Sequence, residues 1–181
     1  MRDFVKMISV LFIVCGLAAG SLALVNAVTK EPIASNEKRQ RDTAALREVS
    51  ANADEFKNVV PDRVWETLRN GQKAGHIFLT QVQGYSGPIT LMFGTDSDGA
   101  VTGLRVLSHT ETPGLGAKIT TAKFRDQFKN KRLEQLILKK DDPAEGQIDA
   151  IAGATISSRA VTKTMRSTLE SFNKERAGGN K

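Results

Sequence analysis

His76-Ile-Phe-Leu-Thr-Gln-Val-Gln83, Gly84-Tyr-Ser-Gly-Pro88 and Ile89-Thr-Leu-Met-Phe-Gly-Thr95 are the consecutive stretches that decide the fold. The outer two are rich in β-formers, and the Gly/Ser/Pro cluster between them reads as a turn. Asp96-Ser-Asp-Gly99 reads as a second turn, and Val101 to Ser108 as a third strand. Three strands joined by such short turns form an antiparallel meander. Downstream, Thr121 to Asn130 reads as a helix with Phe124 and Phe128 on one face, and Leu133 to Leu138 as a strand. From Ser158 to Lys174, Val161, Met165, Thr168, Leu169 and Phe172 line one side of a helix. Upstream, Leu46, Val49, Ala53 and Phe56 recur at helical spacing, which predicts a helix ending before Pro61. A second helical piece, Asp62 to Leu68, stops at Asn70-Gly71. The expected class is α+β, a small antiparallel sheet flanked by helices.

The N-terminus carries a different signal. No charged residue occurs from Met7 to Thr29, long enough for a helix to cross about 30 Å of hydrocarbon. Arg2 and Lys6 before it, and Val25-Asn-Ala27 near its end, also suit a cleaved signal peptide. The apolar run exceeds a usual signal core, which favours a retained anchor. Lys30, Lys38, Arg39 and Arg41 follow the run, so counting positive charges does not orient it; either reading that uses the segment for export puts the folded domain outside the cytoplasm. The expected layout is a basic flank over 1–6, an anchor over 7–29, a helical juxtamembrane linker over 30–70, the folded domain over 71–174 and a tail over 175–181.

Composition removes several function classes. Cys15 is the only cysteine and lies in the apolar run, so the rest of the chain holds no disulfide framework, iron–sulfur site or thiolate zinc site. His76 and His109 are too few and too far apart for a histidine-based metal cluster. The net charge is +6, and Lys118 to Lys140 alone holds eight basic residues against Asp126 and Glu134, a surplus that equals the whole. Few aromatics and no nucleic-acid motif accompany this patch, so it reads as a solvated face near anionic lipid rather than a nucleic-acid surface. No nucleophile with its base, general acid–base pair or nicotinamide fingerprint is visible.

Two stretches exceed what packing requires. In His109-Thr-Glu-Thr-Pro-Gly-Leu-Gly116, Pro113-Gly114 fits the centre of a type II turn, and Gly116 removes another side chain from the backbone. The loop is either an ordinary strand-to-helix turn or a place where a flat ligand approaches the main chain. In Asp149-Ala-Ile-Ala-Gly-Ala-Thr-Ile-Ser-Ser158, Ser157 and Ser158 are N-cap candidates for the last helix. The segment is either a cap alone or an anion site at a helix N-terminus, with Gly153 and Ala154 keeping bulk away and Thr155 offering a hydroxyl.

Asp149-x-x-Ala152-Gly153-Ala154-Thr155-x-Ser157, together with the upstream Thr110-Glu-Thr-Pro-Gly-Leu-Gly116 loop and the Gly84-Tyr-x-Gly87 turn, resembles the FMN-binding subunits of the Rnf and Na⁺-translocating NADH:quinone oxidoreductase complexes. The resemblance covers nearly the whole chain. It implies FMN esterified through its phosphate to Thr155, installed by a separate flavin transferase that uses FAD and reads a sequence including Asp149. That family usually has Ser or Thr where this chain has Ala152. The resemblance further implies that Glu111, Thr112, Leu115 and Gly116 line the isoalloxazine ring, with backbone contacts around Gly114 and Gly116, while Gly153, Ala154 and Ser157 surround the ester. Lys118, a cation placed beside the ring's pyrimidine edge, would stabilise reduced flavin. The short chain suits the Rnf G subunit, whose partners are the other membrane subunits, the transferase and membrane lipid. The alternatives are the quinone-reductase C subunit and a non-redox membrane-bound binding module in which Thr155 is only a cap residue.

Overall fold

The computed structural model describes residues 12, 15, 16, 18–20, 43–50 and 53–178. The expected anchor over 7–29 lies largely outside them, and among the described residues no helix is long and apolar enough to cross a membrane. The chain divides into Met1–Asp42 and a larger compact unit, Thr43–Lys181, which holds everything below.

Five antiparallel strands stand in chain order: β1 (Glu55–Val60), β2 (Val64–Arg69), β3 (Gln72–Gln83), β4 (Pro88–Asp96) and β5 (Val101–His109). The three expected strands are the long ones, β3 to β5, paired from Gly75↔Asp96 to Gln83↔Pro88 and from Thr95↔Val101 to Ile89↔His109. β1 and β2 correct the reading of this region as helical. Asn70 and Gly71 both have positive φ, 51° and 74°, so the dipeptide turns the β2–β3 hairpin instead of stopping a helix. The expected linker–domain boundary at 70/71 thus runs through a hairpin. Helix survives only upstream, over residues 43–49 (α1), and Phe56 belongs to β1.

Side chains alternate across the sheet, as the strand period requires. Phe78, Leu91, Phe93 and Leu104 face the main core, which the long helix α3 (Thr155–Gly178) closes with Val161, Met165 and Leu169. Phe124 and Phe128 complete this core from a short helix, α2 (Ala122–Arg125), and the 3-10 turn after it, where the sequence predicts one longer helix. The strand expected over Leu133 to Leu138 is a 3-10 turn (Leu133–Gln135) followed by a single parallel bridge, Leu138 to Ile148.

Ile77 and Met92 point to the other face, where Ala45 and Val49 of α1 cover them. A Cβ on Gly94 would lie 2.3 Å from the Val49 carbonyl oxygen, so α1 sits directly on the strand backbone. Thr102 Oγ1 donates to that same carbonyl, and Glu48 pairs with both Arg105 and Arg125. His76, on the core face, stacks edge-on against Phe172 with centroids 4.6 Å apart. Burial, reinforced by Lys73 and Arg176, pushes its pKa from 6.5 to about 4.

Candidate functional site

Three segments distant in sequence meet at one end of the sheet: the β3–β4 turn, the loop after β5, and the start of α3. The turn is closed by Gly84 N–H donating to Gly87 O at 2.8 Å. Glu111 is the element common to all three. Its side chain is buried; Oε1 accepts from Ser86 N–H at 3.0 Å, and Oε2 accepts from the Ser157 hydroxyl. Glu111 N–H in turn donates to His109 Nδ1 at 3.2 Å, which makes His109 a strut of the loop. Cβ atoms on Gly84 or Gly116 would lie 2.3 and 2.5 Å from the Glu111 carboxyl oxygens, so these glycines admit the group from either side.

Above Glu111 two type II turns lie together. In one, Leu115 N–H donates to Thr112 O across Pro113-Gly114; in the other, Ala154 N–H donates to Ile151 O across Ala152-Gly153. Gly114 and Gly153 occupy the third positions with φ of 76° and 77°, where a side chain is strained. The Leu115 side chain reaches across, its Cδ2 lying 3.1 Å from where a Cβ on Gly153 would be. Leu115, Ile156 and Tyr85 remain 45, 51 and 68 % exposed.

The helix begins at Thr155, three residues earlier than a cap at Ser157 requires. Ser157 and Ser158 lie inside the first turn with other tasks. Ser157 binds Glu111, whereas Ser158 Oγ accepts from Ile151 N–H and donates to Ala154 O. The first intrahelical donor is Ser158 N–H, to Ala154 O at 3.0 Å. The amides of Thr155, Ile156 and Ser157 therefore carry no intrahelical acceptor and lie at the positive end of the helix dipole.

Thr155 Oγ1 lies 3.2 Å from Lys140 Nζ. The preceding strap is fastened on both sides of that lysine: Lys139 pairs with Asp149 at 3.0 Å, and Arg159 grips Asp141 with Nε at 2.9 and 2.8 Å from its two oxygens. The Arg159 hydrogen bonds hold the Asp141 carboxyl below the usual carboxylate range. Asp149 is further fixed by its N–H donating to Gln127 Oε1 at 2.8 Å.

The structure thus brings Glu111, Thr112, Gly114, Leu115, Gly116, Gly153, Ala154, Thr155 and Ser157 to one place, with Thr112 Oγ1 3.3 Å from Ser86 Oγ. Lys118 is exposed on the 3-10 turn after the loop (Gly116–Thr120), and its side chain makes no hydrogen bond or ion pair among the described residues. Sequence reasoning missed Ser86 and Lys140. Ser86 acts through its backbone, which no side-chain pattern reports. Lys140 is the last member of the basic run, and only the Leu138–Ile148 bridge folds it back onto Thr155.

The residues fit FMN on grounds the geometry supplies. Free helix-terminal amides and a cation surround a partly exposed hydroxyl, and glycine-lined turns with exposed apolar side chains adjoin it. Comparison with known proteins agrees. Residues 84–170 match the FMN-binding domain family, a span that opens at the Gly84 turn and closes within α3. The chain is 34% identical over 161 residues to the G subunit of the proton-translocating ferredoxin:NAD⁺ oxidoreductase complex of Clostridium ljungdahlii, covering 88% of this chain and 86% of that one. It is 32% identical over 185 residues to the G subunit of the Na⁺-translocating ferredoxin:NAD⁺ oxidoreductase complex of Acetobacterium woodii, covering 90% and 88%. Among solved structures, the C subunit of the Na⁺-translocating NADH-quinone reductase from Parabacteroides distasonis superposes with a TM-score of 0.53 at 27% identity, covering 61% of this chain and 60% of that one. With its glycine-lined turns, its helix-start threonine and relatives matched over most of their length, the chain belongs to the G-subunit family of the ion-translocating (Rnf) oxidoreductase complexes.

Proposed function

We propose that this chain is a membrane-anchored electron-transfer subunit that carries FMN on Thr155 through a phosphoester, within an ion-translocating ferredoxin:NAD⁺ oxidoreductase. The observation that carries the reading is the position of Thr155, the first residue of α3, its hydroxyl 3.2 Å from Lys140 Nζ and beside three amides without intrahelical acceptors. Bound there, the flavin supplies reversible electron uptake and release. The protein's part is to hold and to shield. Helix-terminal amides take the phosphodiester charge, Gly153 and Ala154 leave the ester room, and Leu115 offers an apolar contact to the ring. The main chain of Gly114 and Gly116 offers polar contacts, with Thr112 at the rim and Lys118 as the cation at the ring's edge. Glu111 acts from beneath as a positioning residue, because both of its oxygens are taken by Ser86 and Ser157.

Attachment by a flavin transferase forms the Thr155 Oγ1–P bond as the pyrophosphate bond of FAD breaks. AMP leaves, and the hydroxyl proton passes to the transferase or solvent. Asp149, held by Lys139 and Gln127, stands in the segment the transferase reads. The anchor over 7–29, the extracytoplasmic domain and contacts with membrane lipid and the other subunits belong to the same proposal.

Intact mass and tryptic mapping of the chain co-produced with a flavin transferase, beside Thr155→Ala, test it. The expected result is one esterified FMN on the tryptic peptide 141–159, localised by fragmentation to Thr155 rather than Ser157 or Ser158, and none on the variant. An unmodified chain in the presence of an active transferase overturns attachment at Thr155, and if that chain holds no FMN non-covalently either, it leaves the non-redox module.

A further inference from the structure

Lys140 has a surrounding unlike that of its basic neighbours. The strap 137–148 is held rigidly: Gln147 and Ile148 N–H donate to Ile137 O at 3.0 and 3.1 Å, and Lys139 N–H donates to Ile148 O at 2.9 Å. Its flanking charges are consumed in ion pairs to the segment around Thr155, Lys139 with Asp149 and Asp141 with Arg159. Lys140, between them, makes no ion pair with a carboxylate among the described residues; its ammonium is directed to the Thr155 hydroxyl at 3.2 Å. A cation fixed on a neutral hydroxyl gains little from that contact alone, since exposed polar pairs are worth only fractions of a kcal/mol. Placed where a phosphodiester forms, the same cation meets a full negative charge, and such charge-assisted bonds are roughly twice as strong as neutral ones. The amides of Thr155, Ile156 and Ser157, which have no intrahelical acceptor, would face the same charge from the helix end.

We propose that Lys140 is a ligand of the phosphodiester formed on Thr155, and that before attachment it orients the acceptor hydroxyl for the incoming phosphoryl group. The assignment rests on the reading of Thr155 as the FMN acceptor. It also gives the basic run between Lys118 and Lys140 a use at its C-terminal end other than a surface facing lipid.

The test measures the initial rate of FMN incorporation into the full-length chain by purified flavin transferase with FAD, and the ³¹P resonance of the loaded product. Wild type is compared with Lys140→Gln, Lys140→Arg and Lys129→Gln, the last removing an equal charge from the exposed Lys129–Asp126 pair. Loss of one charge-assisted bond predicts about tenfold slower incorporation for Lys140→Gln, with Arg restoring most of the rate and Lys129→Gln matching wild type. The ³¹P resonance should move in Lys140→Gln and stay in place in Lys129→Gln. Normal rates and an unmoved resonance in Lys140→Gln overturn the assignment while leaving Thr155 as acceptor. A slower rate with an unmoved resonance also overturns it, because Lys140 would then serve only recognition by the transferase. Failure of wild type to load with an active transferase overturns the Thr155 reading and this one with it.

Discussion

Two regions of this domain spend glycine on close approach, and they differ in what comes to fill the space. On the outer face of the sheet, Gly94 makes room for the chain itself: the Val49 carbonyl lies 2.3 Å from where its Cβ would be, and Ala45 and Val49 are fully buried. At the site, Gly114 has nothing within 4 Å of its Cβ position and Gly153 only the tip of Leu115, while Leu115 and Ile156 stay about half exposed. Glycine filled by its own chain is a packing device. Glycine left open between turns held from beneath by a buried carboxyl, beside a cation directed to a hydroxyl, is room kept for something else.

The closed region should give the largest effect. Gly94→Val drives a side chain into the Val49 carbonyl and forces α1 off the sheet, exposing Ile77 and Met92. Overpacking with loss of that cover should cost about 3 kcal/mol in urea unfolding of the full-length chain. FMN incorporation measured below the unfolding transition should change little, because the site lies at the end of the sheet and not on its outer face.

Glu111→Ala sharpens the comparison from the other side. It removes a buried acceptor from Ser86 N–H and the Ser157 hydroxyl together, which should cost about 2 kcal/mol. The larger consequence should be functional, with slower FMN incorporation at temperatures where the domain is still folded. If incorporation is untouched while stability falls, Glu111 belongs to the packing and not to the site.

A smaller effect should appear in the pH dependence of the core. His76 is neutral in the folded chain, with its pKa lowered to about 4 by burial, Lys73 and Arg176. As pH falls from 6.5 towards 4 the unfolded chain takes up the proton and the folded one does not, so stability declines across that window. Above 6.5 the group contributes no slope. His76→Phe, set between Phe78 and Phe172, should flatten the acid limb, read as unfolding free energy against pH.

How far the fold can be read in advance depends on where each element's stability arises. β3, β4 and β5 are legible because both faces of the sheet are covered and their residues are dense in β-formers. The last helix is legible because Val161, Met165 and Leu169 repeat at its period and all three are buried. β2 is not: Val64 and Leu68 stand at helical spacing, and only pairing with β3 makes them a strand. β1 is an edge strand, mostly exposed, with almost no buried face to leave a pattern. Asn70-Gly71 is a turn signal in either reading, and the positive φ of both residues assigns it to a hairpin.

The amino-acid sequence by itself determined the α+β class, the turn at Pro113-Gly114 and the apolar stripe of the last helix, because local chemistry suffices for each. Turn geometry follows from Pro and Gly within four residues, and helix periodicity from spacings of three and four. Tertiary structure alone decided that Glu111 lies under the loop bonded to Ser86 and Ser157, that α1 docks on Gly94, and that Lys140 meets Thr155. Those contacts join residues 15 to 46 positions apart. Such separations carry no periodic signal, since they exist only once the sheet and its bridges have brought the segments together.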